Sequence, residues 1–235
     1  MANKPLNRKN YGSIAHLPGS RMGPGDHHCH EGQARIACER TRDRHDVVIA
    51  TEKLDGSNVG VARLGGKLFA LTRAGYLADT SPHEQHHRFA RWVEANERRF
   101  LSVLNDGERL VGEWLIQAHS TRYALPHEPF VALDLMVDAQ RLPYEMLLSV
   151  AGRAEVVTPR LLHQGGAFGL EQALDAVVCS GHGALDVVEG VVWRVERRGV
   201  VDFLVKYVRP DKIDGIYLPE ISREPPVWNT WKGDS

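Results

Sequence analysis

An α+β fold, built from mostly antiparallel sheets with flanking helices, is what this sequence predicts. Short runs of β-branched and apolar residues recur between turn dipeptides such as Asp55-Gly56 and Gly65-Gly66. One long stretch before residue 104 carries its apolar residues at helical spacing. Two apolar runs near the end flank Arg198-Gly199, the pattern of a closing hairpin. Strands and helices that segregate in this way belong to α+β architecture.

In chain order, the first 45 residues are rich in Gly, Pro, His and Arg and read as loops. Strands follow at about 47–53, 57–63 and 67–73, and their turn signals predict a meander. Ser81-Pro82 supplies an N-cap and a first-turn proline for a helix running to about Leu104. Phe89, Trp92, Val93, Phe100 and Leu104 form its apolar face. Strands at about 109–116 and 130–137 come next, then helices near 143–151 and 169–179. The hairpin pairs about 188–197 with 200–208.

Composition sets limits on function. In 235 residues, 43% hydrophobic and 25% charged content are those of an ordinary globular chain. A formal net charge of −1 supplies no global basic field, so any nucleic-acid surface is a local patch. Cys29, Cys38 and Cys179 are odd in number and scattered, which argues for a reducing compartment over a disulfide scaffold. There is no 18-residue apolar run and no signal-peptide core, so the expectation is a cytoplasmic protein with no membrane partner.

The most informative stretch is Glu52-Lys53-Leu54-Asp55-Gly56-Ser57-Asn58. It sets one lysine between two acids, at the end of an apolar run and just before a glycine turn. A free lysine has a pKa of about 10.4, and a useful nucleophile needs a value nearer about 7–8. Burial or a neighbouring cation such as a metal supplies that shift. A solvated lysine on a surface hairpin is the competing reading of the heptapeptide alone.

The rest of the chain decides between them. The heptapeptide resembles motif I of the covalent nucleotidyltransferases, the group of ATP-dependent DNA and RNA ligases and capping enzymes. Thr72-Arg73-Ala74-Gly75 looks like the arginine turn that follows it. Arg109 to Trp114, containing Gly112-Glu113, resembles motif III, and Phe130 to Val137 is similar to motif IIIa. Val188-Glu189-Gly190 resembles motif IV, and Phe203 to Tyr207, with Lys206, resembles motif V. The resemblance runs from about Val47 to Val208. It implies a nucleotidyltransferase (ATP-grasp-like ligase catalytic) domain at 47–208. A loop-rich leader at 1–46 is expected to pack on it, with a short tail at 209–235. That tail is too short for the oligonucleotide-binding barrel of DNA ligases and capping enzymes.

The resemblance also implies roles. Lys53 attacks the α-phosphorus of ATP, and Glu52, Asp55 and Asn58 accompany it at the nucleotide. Arg73 serves phosphate, Glu113 the ribose hydroxyls, and Leu133 stands where the adenine is held. Glu189 takes the divalent metal, Mg²⁺ or Mn²⁺, and Lys206 neutralises the α-phosphate. Asn58 stands where DNA ligases carry arginine and favours an RNA ligase of the phage nick-sealing type. The implied reaction joins RNA 5′-phosphate and 3′-hydroxyl ends in RNA repair, with an end-healing kinase/phosphatase as a possible partner. DNA ligation and capping-type guanylyl transfer are the alternatives within the superfamily.

Two positions depart from the pattern. Leu133 replaces a stacking aromatic, for which Phe130 is a nearby substitute. Val208 replaces the second lysine of motif V, for which Arg209 and Lys212 are candidates. The leader His16 to Asp26, a Gly/Pro loop with Arg21, resembles the leader of a bacterial RNA ligase subgroup. An ordinary surface loop is the other reading. His83-Glu84-Gln85-His86-His87 matches the zinc-peptidase helix signature, which makes a metalloprotease the remote alternative. Asp26-His27-His28-Cys29-His30 is a further metal candidate, though ligands this crowded rarely close a tetrahedron.

Overall fold

A computed structural model describes residues 4–231 and 233 and shows a mixed fold of mostly antiparallel strands with short helices. The chain divides into two compact units. One comprises residues 1–12, 56–117 and 127–158, and the other comprises 13–55, 118–126 and 159–235.

The second of these units is built on a five-stranded sheet. Its strands are β1 (Ala15–His16), β2 (Asp46–Lys53), β9 (Leu161–Gly165), β10 (Gly190–Arg197) and β11 (Val200–Val208), in the order β1-β11-β10-β2-β9. The pairs are antiparallel except β1 with β11. Arg198 and Gly199 both have positive φ and close the β10–β11 hairpin, as their dipeptide predicts. Helices α1 (Glu31–Cys38) and α5 (Leu170–Ala176) contribute Ala37 and Ala173 to a core with Val48, Ala50, Val191, Trp193, Val205 and Tyr207. Strand alternation therefore puts Thr51, Lys53, Val192, Lys206 and Val208 on the face away from that core.

The other unit carries β3 (Ser57–Leu64), β4 (Lys67–Thr72), β5 (Glu108–Trp114), β7 (Phe130–Val137) and β8 (Gln140–Arg141) in the order β4-β3-β5-β7-β8, all antiparallel. Helices α2 (Glu84–Ala95), α3 (Glu97–Leu101) and α4 (Tyr144–Arg153) belong to it. Its core is aromatic: the Phe130 ring stacks on Trp92 at 5.3 Å and on Phe89 at 5.8 Å, with Phe100 edge-on. The remaining short elements are β6 (Ala124–Leu125), which pairs in parallel with β12 (Thr230–Trp231), α6 at Pro219–Ser222, and a 3-10 turn at Ala78–Thr80.

Three local expectations are corrected. The meander does not form, because β2 and β3 lie in different sheets. A type I′ hairpin needs positive φ at both central residues; Gly65 and Gly66 have it, whereas Asp55 and Gly56 do not. The helix expected from Pro82 to Leu104 starts at Glu84 and breaks at Asn96, whose ψ of 19° leaves the helical region. Ser81 does not cap it; its hydroxyl instead takes the His83 amide at 3.3 Å and the His86 ring at 2.6 Å. The leader is not all loop, since it holds β1 and α1. Helix α1 gives weak signals because it contains Gly32 and starts at His30, whose amide donates to Gln33 Oε1 at 3.2 Å.

The start of β2 is pinned by charge. The buried Asp46 carboxylate accepts from Arg42 Nη2 at 2.8 Å and from Arg197 Nη1 at 2.8 Å. Burial pushes its pKa up, but the two arginines outweigh that and hold it at about 2. A depressed carboxyl stabilises the fold above its unfolded value, and the contribution fades as pH falls from about 4 towards 2. Asp46→Asn should therefore cost about 2 kcal/mol at neutral pH. The gap to the parent protein should close in acid, as read by chemical denaturation at stepped pH.

Candidate active site

Lys53 is the last residue of β2 and its neighbour across β10 is Gly190. Glu189 immediately precedes that glycine. The geometry brings the two side chains together: Lys53 Nζ donates to Glu189 Oε2 at 2.5 Å and to Leu54 O at 3.4 Å. Burial pushes the Glu189 carboxyl above its ordinary pKa, and the Lys53 ammonium opposes that rise. Lys206 lies on the same sheet face, paired through Val192 with Thr51, two residues before Lys53. One sheet thus collects the lysines of motifs I and V and the glutamate of motif IV.

Glu52 points the other way, as alternation requires. Its buried carboxylate accepts from the Ser180 hydroxyl at 2.5 Å and the Gly181 amide at 2.8 Å. Asp55 braces the loop after β5 by accepting from the Ser120 amide at 2.9 Å. Lys212 lies 3.6 Å from the same carboxylate. It also donates to Ser120 O, to Thr121 Oγ1 and, at 3.1 Å, to Val187 O. These bonds use its three protons. Arg209 Nε lies 3.4 Å from Asp211. Lys212 is therefore a structural brace, leaving no proton to stand in for the second lysine of motif V.

The other sheet gathers a second group. Asn58 and Glu113 face each other across β3 and β5, so their side chains share a face. Glu113 Oε1 accepts the Gly56 amide at 3.2 Å. Asn58 Oδ1 is buried with no hydrogen-bond partner among the described residues, the state of an acceptor awaiting a donor. Arg73 is exposed in the turn after β4, and its carbonyl accepts the Asn10 and Tyr11 amides. Leu133 is half-buried and has no partner on β5, since Val111 faces Asp134 and Gly112 faces Ala132. Such a bulge takes one side chain out of the regular alternation and is common beside active sites.

Phe130 cannot replace the missing aromatic, because it is 1% exposed within the aromatic core. Gly112 serves that core. A Cβ there would lie 2.4 Å from the Phe130 ring, so the absence of a side chain is what admits Phe130.

The two histidine motifs do not assemble. His83 stands outside α2 as its N-cap, and His87 Nε2 lies 2.5 Å from Ser81 O. Among the described residues no three His, Cys, Asp or Glu side chains group as a metal would require. No described helix is long and apolar enough to cross a membrane.

Sequence reasoning missed two side chains near Lys206. β1 sets His16 in register with it, and Asp26 Oδ1 is 3.8 Å from its Nζ. The Gly/Pro leader stood out as a segment, but no spacing rule pairs a residue at 16 or 26 with one at 206.

A family model described as RNA ligase matches residues 46–208. A Naegleria gruberi RNA ligase mutant with ATP and Mn aligns at a TM-score of 0.51 and 22% identity, covering 77% of this chain and 53% of that one. Another mutant of it, with AMP and Mn, aligns at 0.50 and 21%, covering 70% and 50%. The N. gruberi ligase with PPi aligns at 0.50 and 22%, covering 77% and 53%. This chain spans about half the length of those proteins, and at such identities the likeness concerns the fold. No curated protein matches the chain.

Proposed function

The chain belongs to the RNA ligase family, and on that footing we propose that it is an ATP-dependent RNA ligase working through a lysyl-AMP on Lys53. The observation that carries the reading is the Lys53–Glu189 contact at 2.5 Å, on the sheet face that also bears Lys206. The neutral Lys53 amine attacks the α-phosphorus of ATP; a P–N bond forms, the P–O bond to pyrophosphate breaks, and the nitrogen gives up one of its two protons. Glu189, whose carboxyl burial already pushes upward, is the adjacent proton acceptor. Lys206 stabilises charge on the phosphate as pyrophosphate leaves. AMP then passes to an RNA 5′-phosphate, and a 3′-hydroxyl displaces it to seal the strand.

The second group serves the nucleoside. Glu113 is the hydroxyl acceptor for ribose, Asn58 Oδ1 awaits a donor from the ligand, and Leu133 offers the purine an apolar side in place of a ring. Arg73 suits a phosphate of ATP or of the RNA end. Glu52 and Asp55 act at one remove, by fixing the two ends of the Lys53 turn.

A divalent cation here would take one carboxylate from the protein and its remaining ligands from ATP phosphates and water. Glu189 is an oxygen ligand, buried at 8% exposure and otherwise met by Lys53, and hard oxygen suits Mg²⁺ or Mn²⁺. Such an ion supplies positive charge that favours the neutral lysine and screens the phosphates. The N. gruberi structures with ATP or AMP and Mn support both the nucleotide and the metal.

RNA repair in the cytoplasm, downstream of an end-healing enzyme, is the setting we propose; the three free thiols suit a reducing compartment. The test is sealing of 5′-labelled RNA by the purified protein with ATP and Mg²⁺ or Mn²⁺. We expect adenylylated RNA followed by joined product. Sealing of DNA alone, or labelling by GTP and not ATP, would replace this reading with DNA ligase or capping-type chemistry.

A further inference from the structure

Residues 13–30 lie outside the stretch that the family model matches, yet they place two buried or half-buried titratable groups beside Lys206. β1 is held on both sides: the Leu17 amide donates to Lys206 O at 2.9 Å, and the Cys29 amide donates to His16 O at 2.8 Å. His16 is 1% exposed and stands in register with Lys206, on the row that faces away from the core. Its Nδ1 is 2.7 Å from Ser20 Oγ, which itself accepts the Val208 amide at 2.9 Å. Its Nε2 is 3.0 Å from Asp26 Oδ2. That oxygen also accepts the Gly23 amide at 3.0 Å, and Asp26 Oδ1 faces Lys206 Nζ at 3.8 Å.

The charge states are consistent. Burial lowers the His16 pKa, and Lys206 lowers it further, so the ring is neutral at pH 7. Burial pulls Asp26 upward, but the Gly23 amide, Lys206 and His16 outweigh it and keep the carboxyl ionised. A carboxylate here opposes phosphate binding by like-charge repulsion. Its use therefore lies in placing Lys206. A lysine is a point charge on a flexible four-carbon stem. With Val208 in place of a second lysine, the aim of that one stem governs how well the charge meets the α-phosphate.

We propose that Asp26, held by the Gly23 amide and set against His16, is a positioning residue that holds the Lys206 ammonium in line for the α-phosphate. The inference rests on the nucleotidyl-transfer reading above. Misplacing a catalytic group by about 1 Å can cost on the order of a hundredfold in rate. Loss of an aim that the phosphate partly restores should cost about tenfold.

The experiment measures protein labelling by α-labelled ATP, at varied ATP, for the wild type, Asp26→Asn and Asp26→Glu, with melting temperatures alongside. For Asp26→Asn the rate at saturating ATP should fall about tenfold while KM for ATP stays level or drops, because a repulsive charge is gone. Asp26→Glu keeps the charge and should recover part of the rate; if the Asn variant fails to fold, the Glu variant decides, by a lowered rate without a raised KM. Unchanged rates in both variants would overturn the proposal, as would a KM that rises in step with the rate loss. A wild-type protein that takes no label would defeat the underlying reading, and this inference with it. A labelled wild type with indifferent variants would defeat the inference alone.

Discussion

Lys53→Ala should abolish labelling of the protein by α-labelled ATP while leaving the fold intact. The lysine is the nucleophile in the proposed chemistry, and no neighbouring amine shares its place; Lys206 belongs to β11, with β10 between the two strands. The fold should survive because burial already pushes Glu189 upward, and loss of the Lys53 charge that opposes this shifts the carboxyl further towards its neutral form, which limits the cost of leaving it unpaired. Lys53→Arg should fail as well, since a guanidinium stays protonated at any working pH. Label on either variant would place the covalent site elsewhere. Melting curves close to that of the parent protein are the control.

Lys206→Ala should be severe and Arg209→Ala mild. Loss of one preorganised charge at a developing oxyanion costs about 10²–10³ in rate. Lys206 is on the Lys53 face of the sheet, half-buried two residues before the end of β11. Arg209 follows the strand, its amide donates to Glu189 O at 3.0 Å, and its guanidinium meets Asp211. Both adenylylation and transfer of AMP to RNA should stop in the first variant and proceed in the second. Equal losses, or the reverse order, would mean that the charge at the phosphate comes from another residue.

How much of this was legible in the sequence follows from the range of each signal. Local patterns read well. The apolar runs placed β2, β3, β5, β7, β10 and β11 to within about two residues, and Arg198-Gly199 marked its turn because its backbone requirement is contained in two residues. Asp55-Gly56 misled for the same reason. The dipeptide permits a hairpin, but the partners of β2 are β9 and β10, more than 100 residues away in sequence, and they decide where the strand goes.

Among the candidate residues, the ordered motifs put Lys53, Glu189 and Lys206 at one sheet of one unit, and Asn58 and Glu113 on one strand pair of the other. The directions of Glu52 and Asp55 were not legible in the motif itself. Glu52 follows from alternation against a core that only the fold reveals, and Asp55 from Ser120 and Lys212. Phe130 suits a ligand pocket as an aromatic, but it forms a matched pair with Gly112 in the interior, a contact that only the fold reveals. Lys212 looked like a spare cation in sequence, and three acceptors consume it. The His16–Asp26 arrangement needs a leader folded back along β11, a pairing across about 190 residues that no periodicity announces.

If Lys53 carries AMP, incubation of the wild-type protein with Mg²⁺ or Mn²⁺ and ATP labelled in parallel at the α- or the γ-phosphate, followed by denaturing gel analysis, will show it. The α-label should stay on the protein, the γ-label should not, and the α-label should leave when RNA bearing a 5′-phosphate is added. Protein that retains γ-label, or that takes up no label from either, would contradict it.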